Sequence, residues 1–237
     1  MGSNVFLFEF LAVFLLIIVV DLFVRVSLYK KTSYYKVTKV PYFKLMFDKG
    51  KKGEYLVYRK LKKFEKVGWQ FLFNLYIPKK NGSTSEIDLL LITPKGLFVI
   101  ESKNYDGWIF GRENNVNWTQ VLPTGNGTSC KQRFYNPIKQ NQSHIKYLID
   151  YIGNAFTLYS VIVFSDKCEF KNVMVSEDCH LVYRRHVMYK VKEIYSKSNS
   201  HFLSVNEMGE IYQALYPLSQ VCLLTKDKHN RSIDSKM

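Results

Sequence analysis

The sequence predicts an α/β (α+β) fold behind one membrane-spanning helix, and three features carry that expectation. Apolar runs at 86–92 and 97–103 flank a Thr93-Pro94-Lys95-Gly96 turn, in which proline presets its own φ and glycine admits a left-handed one. Each run is continuous rather than alternating, the mark of a strand covered on both faces. Helical patterns with recognisable caps lie before and after this hairpin. Ahead of them all, residues 5–24 are apolar except for Glu9 and Asp21. About twenty helical residues cross the roughly 30 Å of a bilayer's hydrocarbon.

Taken in order, the chain divides at 1–24 (transmembrane anchor), 25–50 (linker), 51–218 (folded domain) and 219–237 (polar tail). Met1-Gly2-Ser3-Asn4 has no Lys or Arg, and Asp21-Leu22-Phe23-Val24-Arg25 is no cleavage site. An uncleaved anchor is therefore expected rather than a signal peptide. Arg25, Lys30, Lys31, Lys36 and Lys39 follow at once, so the positive-inside rule places the remainder in the cytoplasm. Residues 25–50 read as a basic, aromatic juxtamembrane linker close to anionic headgroups, with Pro41 against one unbroken helix.

A helix is predicted from about Gly53, with Val57, Leu61 and Phe64 on one face and Gly68 as its stop. Glu54 belongs to that core-facing side. It is either a first-turn carboxylate favoured by the helix dipole or a carboxylate aimed at the hairpin's charged end. A strand at 69–77 and a turn carrying Asn81-Gly82 lead into the central hairpin. Short strands follow at 108–111 and 117–121, then a polar loop at 122–135. Asn136-Pro137 starts a helix whose stripe is Ile138, Ile145, Leu148, Ile149 and Ile152. Gln140 lies off this stripe. Strands at 158–164, 173–175 and 181–183, a helix at 188–194, and a capping-box helix from Ser204 to about Tyr216, stopped by Pro217, complete the order.

Composition narrows the function. The net charge is +14, with 17 Tyr and 17 Phe, which suits a polyanion such as nucleic acid and equally an anionic membrane surface. Cys130, Cys168, Cys179 and Cys222 form no CxxC pair, and the histidines show no HExxH spacing. These patterns speak against a zinc finger and a metalloprotease. Cys168 and Cys179 are either neighbours across a hairpin or scattered reduced thiols. Asn-x-Ser/Thr triplets at Asn81, Asn117, Asn126, Asn141 and Asn230 matter only if the domain is exported.

Pairing Ile92 with Leu97 sets Asp88 opposite Glu101, and Lys103 points to the same face as Glu101. Ionisable groups then converge at the open end of an apolar hairpin, where they are costly unless paired or bound to a cation. The plainer reading is that strands end in charges where they reach water.

The ordered set Gly53-Glu54, Glu86-Ile87-Asp88, Gly96-Leu97-Phe98-Val99-Ile100-Glu101-Ser102-Lys103-Asn104, Gly107-Trp108-Ile109-Phe110-Gly111, Trp118 and Asn136-Pro137-Ile138-Lys139-Gln140 resembles the nuclease-related domain (NERD) family of the PD-(D/E)xK nuclease superfamily. The likeness covers about residues 50–150 and implies a restriction-endonuclease-like mixed sheet flanked by helices. Ile87 stands where the superfamily's name has proline, and Ser102 is the small residue between Glu and Lys. The resemblance implies that Asp88 and Glu101 bind Mg²⁺ or Mn²⁺. Lys103 would orient or activate the attacking water, Glu54 would be the extra acid and Gln140 the auxiliary polar residue. Hard carboxylates suit those cations, which keep waters for use as nucleophile. Lys51, Lys52, Lys131 and Arg133 are candidates for phosphate contacts, or ordinary solvated residues. The expectation is a bacterial, membrane-anchored, cytoplasm-facing nuclease acting on DNA ahead of RNA. The alternatives are a tethered nucleic-acid-binding or scaffolding module without turnover, and an exported binder of an envelope polyanion.

Overall fold

The computed structural model describes residues 2–125 and 127–221, so Asn126, Cys222, Asn230 and nearly all of the polar tail lie outside the described residues. Helix α1 (Gly2–Lys30) is followed by α2 (Ser33–Thr38), α3 (Tyr42–Phe47) and α4 (Lys49–Leu61), then a 3-10 turn at Lys62–Val67 that ends at Gly68. Strands β1 (Gln70–Pro78), β2 (Thr84–Thr93) and β3 (Gly96–Lys103) come next, then β4 (Gly107–Arg112), β5 (Asn117–Gly125) and β6 (Thr128–Tyr135). Helix α5 (Pro137–Ile152), strands β7 (Leu158–Phe164), β8 (Cys168–Met174) and β9 (Leu181–Tyr183), and helices α6 (Val187–Lys197) and α7 (Val205–Ser219) close the order.

These elements make a mixed α/β fold with two sheets. The larger runs β1-β2-β3-β7-β9, antiparallel up to β3 and parallel beyond it. The smaller runs β6-β5-β4-β8. Both faces of the larger sheet are covered, as the continuous apolar runs require. Phe73, Leu89, Leu91, Phe98 and Ile100 pack with Val57 and Leu61 of α4 and Val191 of α6. Leu90, Ile92, Leu97 and Val99 pack with Leu148 of α5 and Ile211 and Leu215 of α7. Each such side chain contributes about 1.5–3 kcal/mol by leaving water. The central turn forms as its residues dictate. Gly96 has φ 121°, and a Cβ there would sit 2.3 Å from the Thr157 carbonyl oxygen.

Four segments differ from expectation. The 25–50 segment carries α2 and α3 and buries Tyr29, Tyr34, Val37 and Leu45 in the core; its tyrosines are packing groups of the domain, while Phe43 and Phe47 are exposed. The start of α4 moves four residues ahead of Gly53, because Asp48 caps it by accepting from the Lys51 N–H. The polar loop at 122–135 is the hairpin of β5 and β6, which the backbone ladder alone specifies, since β6 is exposed almost throughout. Helix α7 has the predicted capping box at Ser204 and Glu207 but runs through Pro217 to Ser219. Proline costs one hydrogen bond there, and the helix ends within a turn.

The alternation of β1 slips at Asn74. Phe71 and Phe73 face one core cluster, whereas Leu72, Leu75 and Ile77 face the other. Asn74 has a left-handed φ of 50°, uncommon for a residue with a Cβ. Ile87 faces the same cluster as Leu90 and Ile92, so β2 slips at Asp88, the residue bracketed by the pairs Phe73↔Leu89 and Leu75↔Ile87. Such irregularities re-aim side chains, and this one lies where the hairpin carries its charges.

Candidate active site

The hairpin register is the expected one, Ile92↔Leu97 through Leu89↔Ile100. Just beyond the last pair, Asp88 Oδ2 accepts from the Ser102 backbone N–H at 2.8 Å. Glu101 lies on the α5 side of the sheet, only 1% exposed. Lys103 Nζ reaches Glu101 Oε1 at 2.8 Å and donates to Gln140 Oε1 on α5 at 2.9 Å. Gln140, which periodicity alone would leave solvated, is thus joined to the hairpin.

Glu54 approaches from the α4 side. Gly53 makes that possible: a Cβ there would lie 2.6 Å from Asn104 Cβ and 3.3 Å from Ser102 Oγ. Bare backbone lets α4 lie against the end of β3. Glu54 Oε2 accepts from Asn74 Nδ2 at 2.9 Å and from the Tyr34 hydroxyl at 3.1 Å. Of the two readings of Glu54, the inward-facing one describes this side chain.

The electrostatics follow from crowding. Burial pushes the Glu54 carboxyl up to about 7, against the pull of Lys51 and with the push of Glu86. Burial, then the charges of Glu101 and Glu54, hold Asp88 well above the usual carboxylate range, opposed by Lys103 and the Ser102 N–H. Burial acts upward on Glu101 too, but Lys103 and His144 outweigh it and hold Glu101 below its ordinary value. Burial would lower Lys103, yet Glu101 and the other neighbours raise it, so the ammonium is a fixed charge here.

Two contacts were not legible in the sequence. His144 Nε2 lies 3.2 Å from Glu101 Oε2, while Ser85 Oγ bonds His144 Nδ1 at 2.7 Å. The approach to Glu101 is off-line, close enough for attraction but not a directed bond, so Glu101 Oε2 and His144 Nε2 have no hydrogen-bond partner. Which of Ser85 Oγ and His144 Nδ1 donates follows the imidazole tautomer. Among the described residues no three His, Cys, Asp or Glu side chains gather as a ligand set. What remains is the carboxylate pair of Asp88 and Glu101, with one buried Glu101 oxygen unbonded. Those carboxylates suit a hydrated hard cation, which takes one or two carboxylates and keeps its waters. Of the candidate phosphate contacts, Lys51 acts electrostatically on Glu54, while Lys131 and Arg133 project from β6 into solvent.

The model of the nuclease-related domain matches residues 49–165. An uncharacterized protein of Bacillus anthracis is 33% identical over 189 residues, 79% of this chain and 85% of that protein. The chain belongs to the NERD family. No solved structure matches it. The matched NERD region begins at the first residue of α4 and ends just past β7, so it holds every side chain described above except Tyr34. The other NERD motif residues are packing devices. A Cβ on Gly111 would lie 2.2 Å from the Trp118 ring, so that glycine is the seat of the buried indole. Asn136 caps α5 through the Ile138 N–H and donates to the Glu113 and Asn115 carbonyls. His144 stands one helical turn beyond Gln140 on α5, and that i,i+4 spacing was the one signal able to find it.

Proposed function

We propose that this NERD protein is a membrane-anchored, cytoplasm-facing, metal-dependent phosphodiesterase of PD-(D/E)xK type, cleaving DNA ahead of RNA. The single observation that carries the reading is the set at the open end of one hairpin: Asp88 on the Ser102 N–H, between Glu101 and the Lys103 that joins Glu101 to Gln140. Asp88 and Glu101 would hold the cation. Mg²⁺ or Mn²⁺ bound there supplies charge neutralisation at the phosphate and polarises the attacking water. Lys103, charged and pinned between Glu101 and Gln140, stabilises the negative charge that grows on the phosphoryl oxygens. His144, bonded to Ser85, lies beside Glu101 and favours its charged form. Glu54, with a proton affinity near neutrality, takes up or releases a proton at working pH. Substrate is held through backbone phosphates, in keeping with the +14 charge and with weak sequence preference.

The test uses the full chain in detergent with linear and circular DNA and with RNA, in Mg²⁺ or Mn²⁺. Asp88→Asn is the informative variant, since asparagine still accepts from Ser102. Lys103→Ala would strand the buried Glu101 charge and confound activity with folding. The expected result is cleavage that Asp88→Asn reduces about 10²-fold or more. Cleavage unchanged in the variant would refute the assignment. The Lys103–Glu101 ion pair, which occupies a carboxylate oxygen in this state, favours a second reading: a tethered nucleic-acid-binding module. Salt-sensitive DNA binding with no cleavage in any divalent metal would establish it.

A further inference from the structure

Helix α3 has two unlike faces. Leu45 is fully buried and Tyr42 packs on the core. On the other side Phe43, Met46 and Phe47 are 55%, 40% and 86% exposed. Three large apolar side chains at i, i+3 and i+4 in water form a patch that a soluble surface has no use for. Other large apolar residues of the domain, such as Tyr189 and Phe202, are exposed as well, as single apolar side chains commonly are.

The position of α3 says what covers the patch. Residues Glu9–Lys30 form a helix long and apolar enough, by length and composition, to cross a membrane. Tyr29, at the end of that helix, is buried in the domain. Its hydroxyl donates to the Val40 carbonyl at 2.7 Å, just ahead of α3, and its ring meets that of Tyr42 at 5.6 Å. The ring of Tyr55 on α4 packs on it as well, at 5.2 Å. The start of α3 is thereby fixed beside the last turn of α1, level with the end of the apolar stretch. Lys30 and Lys31 at the end of α1, Lys39 just ahead of α3 and Lys44 within it are all exposed, charges that match anionic headgroups.

We propose that α3 is a second membrane contact: Phe43, Met46 and Phe47 enter the headgroup–acyl boundary while the neighbouring lysines engage anionic lipid. This rests on the anchor reading of α1 and goes beyond it, because an anchor alone leaves the domain free to swivel. Two contacts joined through Tyr29 hold the domain, and the Glu54 that Tyr34 of α2 bonds, in one attitude to the bilayer. Interfacial helices bind through this pairing of buried apolar area with basic charge.

The experiment places a photoreactive benzoylphenylalanine at Phe14, Phe47 or Phe202 of the full chain. Membranes of the expressing cells are irradiated, and the adducts are digested and identified as lipid or protein. Lipid adducts at 14 and 47, with the yield at 47 at least about fivefold that at 202, are expected. Lipid at 14 but none at 47 overturns the inference and leaves the anchor standing. A protein adduct at 47 overturns it in favour of a protein partner, and equal lipid yields at 47 and 202 overturn it as non-specific. No lipid adduct at 14 removes the anchor and the inference together.

Discussion

Glu54 carries a charge that burial makes costly. Its carboxyl is buried, and its two hydrogen bonds come from Asn74 and Tyr34. With a folded value of about 7 against an unfolded value of about 4.3, the folded state binds the proton more tightly. The contribution is therefore fully present below about pH 4 and is lost as pH rises through 7, on the order of 3 kcal/mol in all. Glu54→Gln keeps an acceptor oxygen and removes the ionisation. In chelator at pH 8 the variant is expected to unfold at higher denaturant than wild type, by about 1–3 kcal/mol, with the gap closing toward pH 4. A variant less stable than wild type at pH 8 would contradict this account. The inward aim of Glu54 was half legible, since its spacing to Val57 and Leu61 put it on the core side. Its partners were not, because Tyr34 and Asn74 come from segments with no periodic relation to it.

At the scale of elements, the approach of α4 to the end of β3 decides the geometry. That approach depends on the missing Cβ of Gly53, which would overlap Asn104. Gly53→Ala also improves helix propensity, by roughly 1 kcal/mol, so the two effects oppose each other. Because the clash is with a Cβ rather than a flexible tip, overpacking wins, and a net loss of about 1–2 kcal/mol is expected. Equilibrium denaturation reads the loss, and DNA cleavage should fall further than stability explains, as Glu54 moves with its helix. An alanine variant as stable and active as wild type would show that α4 shifts freely. The hairpin at the centre was legible down to its register because turn chemistry and two apolar runs specify it locally. Strand β6 was invisible for the converse reason. Apart from Phe134 its side chains face water on both sides, so no alternating burial marks it, and pairing with β5 defines it.

On the scale of the whole molecule, the chain joins one helix apolar enough to cross a membrane to a sheet covered on both faces, with a net charge of +14. Cys130 offers a direct reading of which side the domain occupies, since it is exposed on β6 while Cys168 is buried. With Cys222 and the half-buried Cys179 both replaced by serine, a membrane-impermeant maleimide is expected to modify Cys130 only after cells are permeabilised. Modification of intact cells would reverse the orientation and revive the exported reading. The charge of +14 predicts in addition that any nucleic-acid binding weakens steeply as salt rises.

By itself the sequence determined the apolar helix, the central hairpin with its Asp88, Glu101 and Lys103, the caps of α5 and α7, and the family. All of these are local: a turn type, a period, a cap, an ordered motif. Tertiary structure alone decided that Gln140 meets Lys103, that Ser85 and His144 stand behind Glu101, and that the segment after the apolar helix supplies Tyr34 to Glu54. Those contacts join residues far apart in the chain through the packing of helices on both faces of one sheet, and no pattern along a single element encodes where two such faces will meet.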